Sequence, residues 1–85
     1  MSAVPTTSEE RVRAVLAEHA GLAVDVAALD SSADLYKAGM TSHATVNVML
    51  ALEDEFEVEF PTEMLSRGTF ESVSAISAAL GRLGA

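Results

Sequence analysis

The sequence contains no cysteine. That absence excludes disulfide staples, a protein thiol nucleophile and a thiolate metal ligand together. Nothing in the chain calls for an oxidising compartment. Only 2 histidines are present, His19 and His43, so a zinc site has little to draw on. Lysine and arginine total 5 against 13 aspartates and glutamates, a formal net charge of −8. Such a balance argues against a nucleic-acid partner, whose phosphates it would repel. No apolar run approaches the roughly 20 residues that a bilayer-spanning helix needs, so no membrane partner is expected. Met1-Ser2-Ala3-Val4-Pro5 shows no basic segment followed by an apolar run, hence no signal peptide is expected and a cytoplasmic location is the default. There is no Gly-rich phosphate loop, no internal repeat and no low-complexity segment.

What is present is one domain of 85 residues with a modest core, expected to be a monomer. Residues 1–6 read as a loose tail, and 7–84 as the domain. Thr7-Ser8-Glu9-Glu10 reads as a capping box, with Thr7 as the cap. Val12, Val15, Leu16 and His19 follow at helical spacing until Gly21 stops the helix. His19 sits where a protonated imidazole suits the helix dipole. Residues 22–40 form a long connection with Leu22, Val24, Val26, Leu29 and Leu35 to pin it, and with a short turn capped from Ser31-Ser32-Ala33-Asp34 as one option.

A second helix is expected from about Ser42 to Glu57, with Thr41 or Ser42 as its cap. Its stripe of Thr45, Val48, Met49, Leu52 and Phe56 should face the core. Val46 and Leu50 lie on another side, in line with Asp54 and Glu57. They either widen the core stripe or form a half-exposed contact surface, and the spacing does not decide between these. Val58-Glu59-Phe60 alternates like a strand but has no partner strand. Pro61 should open a short helix through Glu63, Met64 and Leu65, ended by Gly68. Thr69 should cap a last helix with the stripe Val73, Ile76, Leu80 and Leu83. Three main helices and one short one make a small all-α bundle.

The stretch Gly39-Met40-Thr41-Ser42-His43 places a serine at a helix N-terminus, where free N–H groups and partial positive charge suit a phosphate. By itself that is the ordinary position of a cap. Together with Asp34-Leu35-Tyr36, Ala38, Val46, Leu50-Ala51-Leu52-Glu53, Glu55-Phe56, Phe60-Pro61 and Thr69-Phe70-Glu71-Ser72-Val73, it resembles the acyl carrier protein family over roughly residues 8–83. The resemblance implies an acyl-carrier-like fold and a 4′-phosphopantetheine arm on Ser42, added by a phosphopantetheinyl transferase. The thiol of that arm would hold an acyl or aminoacyl group as a thioester. The family pattern is usually Asp-Ser-Leu, where this chain has Thr41-Ser42-His43. The Thr-Ser form after Leu-Tyr-Lys-Ala-Gly-Met looks most like stand-alone carriers loaded by amino acid:carrier protein ligases that resemble seryl-tRNA synthetases. A loading ligase or an acyltransferase is therefore the expected partner.

Independent catalysis has no support. Adjacent helical residues point about 100° apart, so His43 cannot serve Ser42 as a base. The Gly-x-Ser-x-Gly elbow of hydrolases is absent. Six acids, Glu53, Asp54, Glu55, Glu57, Glu59 and Glu63, follow the serine stretch without calcium-loop spacing. They suit docking on a basic partner surface, or merely solubility. The docking surface implied by an arm at Ser42 comprises Met40, Thr41, His43, Val46, Asn47 and Leu50, with Asp54 and Glu57 further along. Its alternative is an unmodified acidic interaction module, with Ser42 an ordinary cap. A groove between the second helix and the short helix is the place expected for cargo.

Overall fold

Three α-helices carry the fold: α1 (Ser8–His19), α2 (Ser42–Phe56) and α3 (Val73–Arg82). The computed structural model describes residues 8–85. The expected cap at Thr7 and the tail at 1–6 lie outside the described residues. α1 packs against both α2 and α3. Leu16, Leu35, Leu52, Ile76 and Leu80, each with 0% of its surface exposed, fill the space between them. The architecture is the expected all-α, acyl-carrier-like bundle, with no strand among the described residues.

The long α1–α2 connection is held at both ends. A 3-10 turn at Val26–Ala28 is capped by Asp25, whose carboxylate accepts from the Ala27 amide at 3.1 Å. Arg13 reaches across from α1, and its Nη1 donates to the carbonyls of Val26 at 2.7 Å and Leu29 at 2.8 Å. An ion pair with Glu9 one turn earlier keeps the guanidinium in place. Further along, the Asp34 carboxylate caps a turn by accepting from Tyr36 N at 2.9 Å. Leu35 N donates to Glu71 O at 2.7 Å, and Ser74 N to Ser31 O at 2.8 Å. Val26 and Leu35 are buried as expected and Leu22 and Leu29 half-buried, whereas Val24 is exposed.

Two expectations are corrected between α2 and α3. The short helix after Pro61 is a pair of 3-10 turns, Thr62–Met64 and Arg67–Thr69, and Gly68 lies inside the second. Phe60 and Phe70, 5.2 Å apart between ring centroids, anchor both ends of this segment in the core. Two 3-10 turns cover the intervening chain with more rise per residue than one α-helix would. Thr69 does not cap α3. Its hydroxyl pairs with Ser66 Oγ at 3.2 Å, and Ser72 is the cap, accepting from Ala75 N at 3.0 Å. The helix cannot begin earlier, because Phe70 is committed to the core and the Glu71 carbonyl to Leu35.

Ser72→Ala should therefore cost about 1 kcal/mol of stability, the usual worth of a cap. Thr69→Ala should stay within about 0.5 kcal/mol of the parent. Urea denaturation of the two variants distinguishes them, and the reverse order would place the cap at Thr69.

Candidate functional site

Gly39 and Met40 set the approach to α2. Gly39 has φ 119°, a backbone conformation open to glycine at little cost. This turn sends Met40 inward, where it is 3% exposed, and brings Thr41 and Ser42 to the surface. Thr41 is extended, at φ −88° and ψ 167°, and its Oγ1 accepts from Ala44 N at 3.0 Å. Thr41 is thus the cap, and Ser42 is the first helical residue. Ser42 is exposed, and no hydrogen bond engages its hydroxyl among the described residues. The first-turn N–H groups around it lack intrahelical acceptors.

Ser42 and Val46 form the lip of a cavity of about 290 Å³ between α2 and the segment before α3. Its walls are Tyr36, Thr45, Met49, Leu65, Ser66, Arg67 and Phe70. Thr45 Oγ1 donates to the Thr41 carbonyl at 2.9 Å and lies 3.4 Å from Tyr36 Oη. The Arg67 guanidinium lies over the Tyr36 ring, 3.9 Å from its centroid. This is the groove expected beside α2.

The residues expected on a docking surface fall into three groups. Thr41, Ser42, His43, Val46, Asn47 and Leu50 are exposed at the first turns of α2, with Val46 at 51% and Leu50 at 54%. Val46 and Leu50 therefore do not widen the core stripe, which is made by buried Val48 and Leu52 and half-buried Thr45, Met49 and Phe56. Met40 is corrected: its side chain is core and offers no docking surface. Asp54 and Glu57 are exposed, but they lie about 18 Å or more along the axis from Ser42 at 1.5 Å per residue. Asp54 lines a separate cleft between α1 and α2, with Arg11, Glu18 and His19. Glu57 closes α2 in the left-handed conformation, at φ 54°.

Two of the six clustered acids serve the fold. The Glu53 carboxylate accepts from Phe60 N at 2.8 Å. Glu55 pairs with Arg11 at 3.0 Å, and Arg11 also lies over the Phe56 ring. Asp54, Glu57, Glu59 and Glu63 remain exposed. Among the described residues no cluster of acids and histidines is arranged to hold a metal, and no helix is long and apolar enough to cross a membrane.

Residues 10–80 match the family model described as the phosphopantetheine attachment site, and the chain belongs to that family of carriers. It is a carrier of a phosphopantetheine-bound group and not a catalyst. It is 42% identical over 65 residues to the aminoacyl carrier protein of Agrobacterium fabrum (strain C58 / ATCC 33970), spanning 76% of this chain and 78% of that one. The fold superimposes on the carrier protein from Agrobacterium tumefaciens in complex with an engineered Bradyrhizobium japonicum glycine:[carrier protein] ligase and AMP. The TM-score is 0.83 at 37% identity, with 86% of this chain and 97% of that chain covered. It also matches the glycylated carrier protein complexed with the Bradyrhizobium japonicum ligase, with a TM-score of 0.64 at 31% identity over 84% of this chain and 90% of that chain.

The residues present fit a phosphopantetheine. An exposed and unbonded hydroxyl stands at a helix N-terminus, beside a partly apolar cavity with one arginine on its wall. The sequence points to the groove but not to its lining, and it gives Tyr36 and Arg67 no role there. The signal available for Arg67 was its charge, as the lone base between Glu63 and Glu71.

The division of roles between Thr41 and Ser42 is directly measurable. Thr41→Ala should lose about 1 kcal/mol, whereas Ser42→Ala should melt within about 0.5 kcal/mol of the parent. A large loss in Ser42→Ala would show that its hydroxyl supports the helix.

Proposed function

We propose that Ser42 Oγ carries the 4′-phosphopantetheine arm and that the arm holds an amino acid as a thioester. The observation that carries this reading is the free hydroxyl of Ser42. Thr41 supplies the cap, so Ser42 is exposed at the helix N-terminus without a structural duty. The arm supplies the thiol that a cysteine-free chain lacks. A tethered group is held at high effective concentration near whichever enzyme is docked.

An amino acid is favoured as cargo over a long acyl chain on two grounds. The 42% identical relative is an aminoacyl carrier protein, and similar carrier structures were solved with a glycine:[carrier protein] ligase. The loading partner is accordingly an amino acid:carrier protein ligase, and the arm comes from a phosphopantetheinyl transferase. Both would work on a monomer in the cytoplasm, in keeping with a chain that has no disulfide to protect. Their docking surface is His43, Val46, Asn47 and Leu50 around the serine, with Asp54 and Glu57 steering from further along α2.

Incubation with coenzyme A and a permissive phosphopantetheinyl transferase should add one arm, seen as a single mass increment in the intact protein. The Ser42→Ala variant should remain unmodified. An arm gained by Ser42→Ala, or a parent that no transferase modifies, overturns the assignment. On the docking surface, Leu50→Ala should melt within about 0.5 kcal/mol of the parent because Leu50 is 54% exposed. Aminoacylation of the armed variant should fall roughly 5- to 30-fold, as for an interface anchor worth 1–2 kcal/mol. Unchanged loading would move the docking surface elsewhere.

A further inference from the structure

We propose that Arg67 is the phosphate-binding residue of the attachment site and that the Tyr36 ring is the platform that holds it there. This rests on the reading of Ser42 as the residue that bears the arm.

The basis is the distribution of cations. Five lysines and arginines face 13 acids in this chain. Arg11 and Arg13 are spent on internal ion pairs with Glu55 and Glu9. Arg67 has no carboxylate within ion-pair distance among the described residues. Its guanidinium instead lies 3.9 Å from the centre of the neutral Tyr36 ring. A cation held over an aromatic ring is attracted to it without having its charge neutralised. A guanidinium carries its N–H donors in a planar fork that matches two oxygens of a phosphate. Among the described residues Arg67 is the only basic one on the wall of the cavity whose lip is Ser42; Lys37 and His43 do not line it.

An arm on Ser42 would be joined through a phosphodiester, which carries one negative charge at neutral pH. That charge would arise within a cavity rim where a pre-oriented arginine and the free amides of α2 are the available donors. Met49, Leu65 and Phe70 make an apolar stretch of the wall, beside Thr45 and Ser66, and suit the hydrocarbon part of the arm next to the phosphate. Arg67 would thereby draw the proximal arm over this wall when no partner is docked. Its backbone is fixed for that task, since the Arg67 carbonyl accepts from Phe70 N at 3.2 Å and Phe70 is buried.

The test uses isotopically labelled protein carrying the arm, observed by NMR. In the parent, the geminal methyls of the arm should show nuclear Overhauser contacts to Met49 or Phe70. In Arg67→Ala these contacts should vanish, the phosphorus resonance should shift, and the Ser42 and His43 amides should move toward their positions in the unarmed protein. Arg67→Lys keeps the charge but loses the planar fork, so it should restore only part of the effect. Should Arg67→Ala fold poorly, Arg67→Gln provides the same neutralisation with a longer side chain. Intact mass separates the two levels of the argument. An arm missing from Ser42 refutes the attachment reading. An armed parent without the methyl contacts, or with contacts and a phosphorus shift that Arg67→Ala leaves unchanged, overturns the role of Arg67.

Discussion

Two backbone hydrogen bonds tie the long α1–α2 connection to the start of α3, from Leu35 N to Glu71 O and from Ser74 N to Ser31 O. They close around Leu35, which has no exposed surface. A connection of this length without internal structure would be expected to wander in so small a domain. Here Arg13 clamps its first half through the Val26 and Leu29 carbonyls, and the α3 junction clamps its second. The chain therefore arrives at Gly39 and Met40 in a fixed direction, and the position of Ser42 is inherited from these contacts. The same junction sets where α3 starts, because it commits the Glu71 carbonyl to Leu35 and pushes the cap on to Ser72.

The parts of this arrangement that were legible in the sequence are those that repeat. The stripes of α2 and α3 recur over several turns, and Val48, Leu52, Val73, Ile76 and Leu80 are buried as their spacing required. Features decided by a single residue were harder to read. Met40 carries no periodicity, and only the Gly39 turn shows that it points inward. Thr69 and Ser72 are both good caps by composition, and a tertiary hydrogen bond chose between them. Val46 and Leu50 could have belonged to either face, since a helix stripe has no sharp edge in sequence. The pairing of Arg67 with Tyr36 joins residues far apart in the chain, and nothing local announces it.

The acids after Ser42 illustrate how one compositional feature divides once it is folded. Glu53 receives the Phe60 amide and Glu55 holds Arg11 against Phe56, so both shape the end of α2. Asp54 and Glu57 are exposed. A run that reads as uniform charge divides into acids held in contacts and acids left exposed.

The exposed positions of Val46, Asn47, Leu50 and Asp54 also bear on how such a protein changes over generations. Val48 and Leu52 interleave with them on the same helix and hold the core, so the two sets share a backbone but hardly any packing. Surface substitutions away from structural contacts usually move stability by less than about 0.5 kcal/mol. The proposed docking face can therefore drift toward a new enzyme through steps that are nearly neutral for folding, while Ser42 stays anchored where it is.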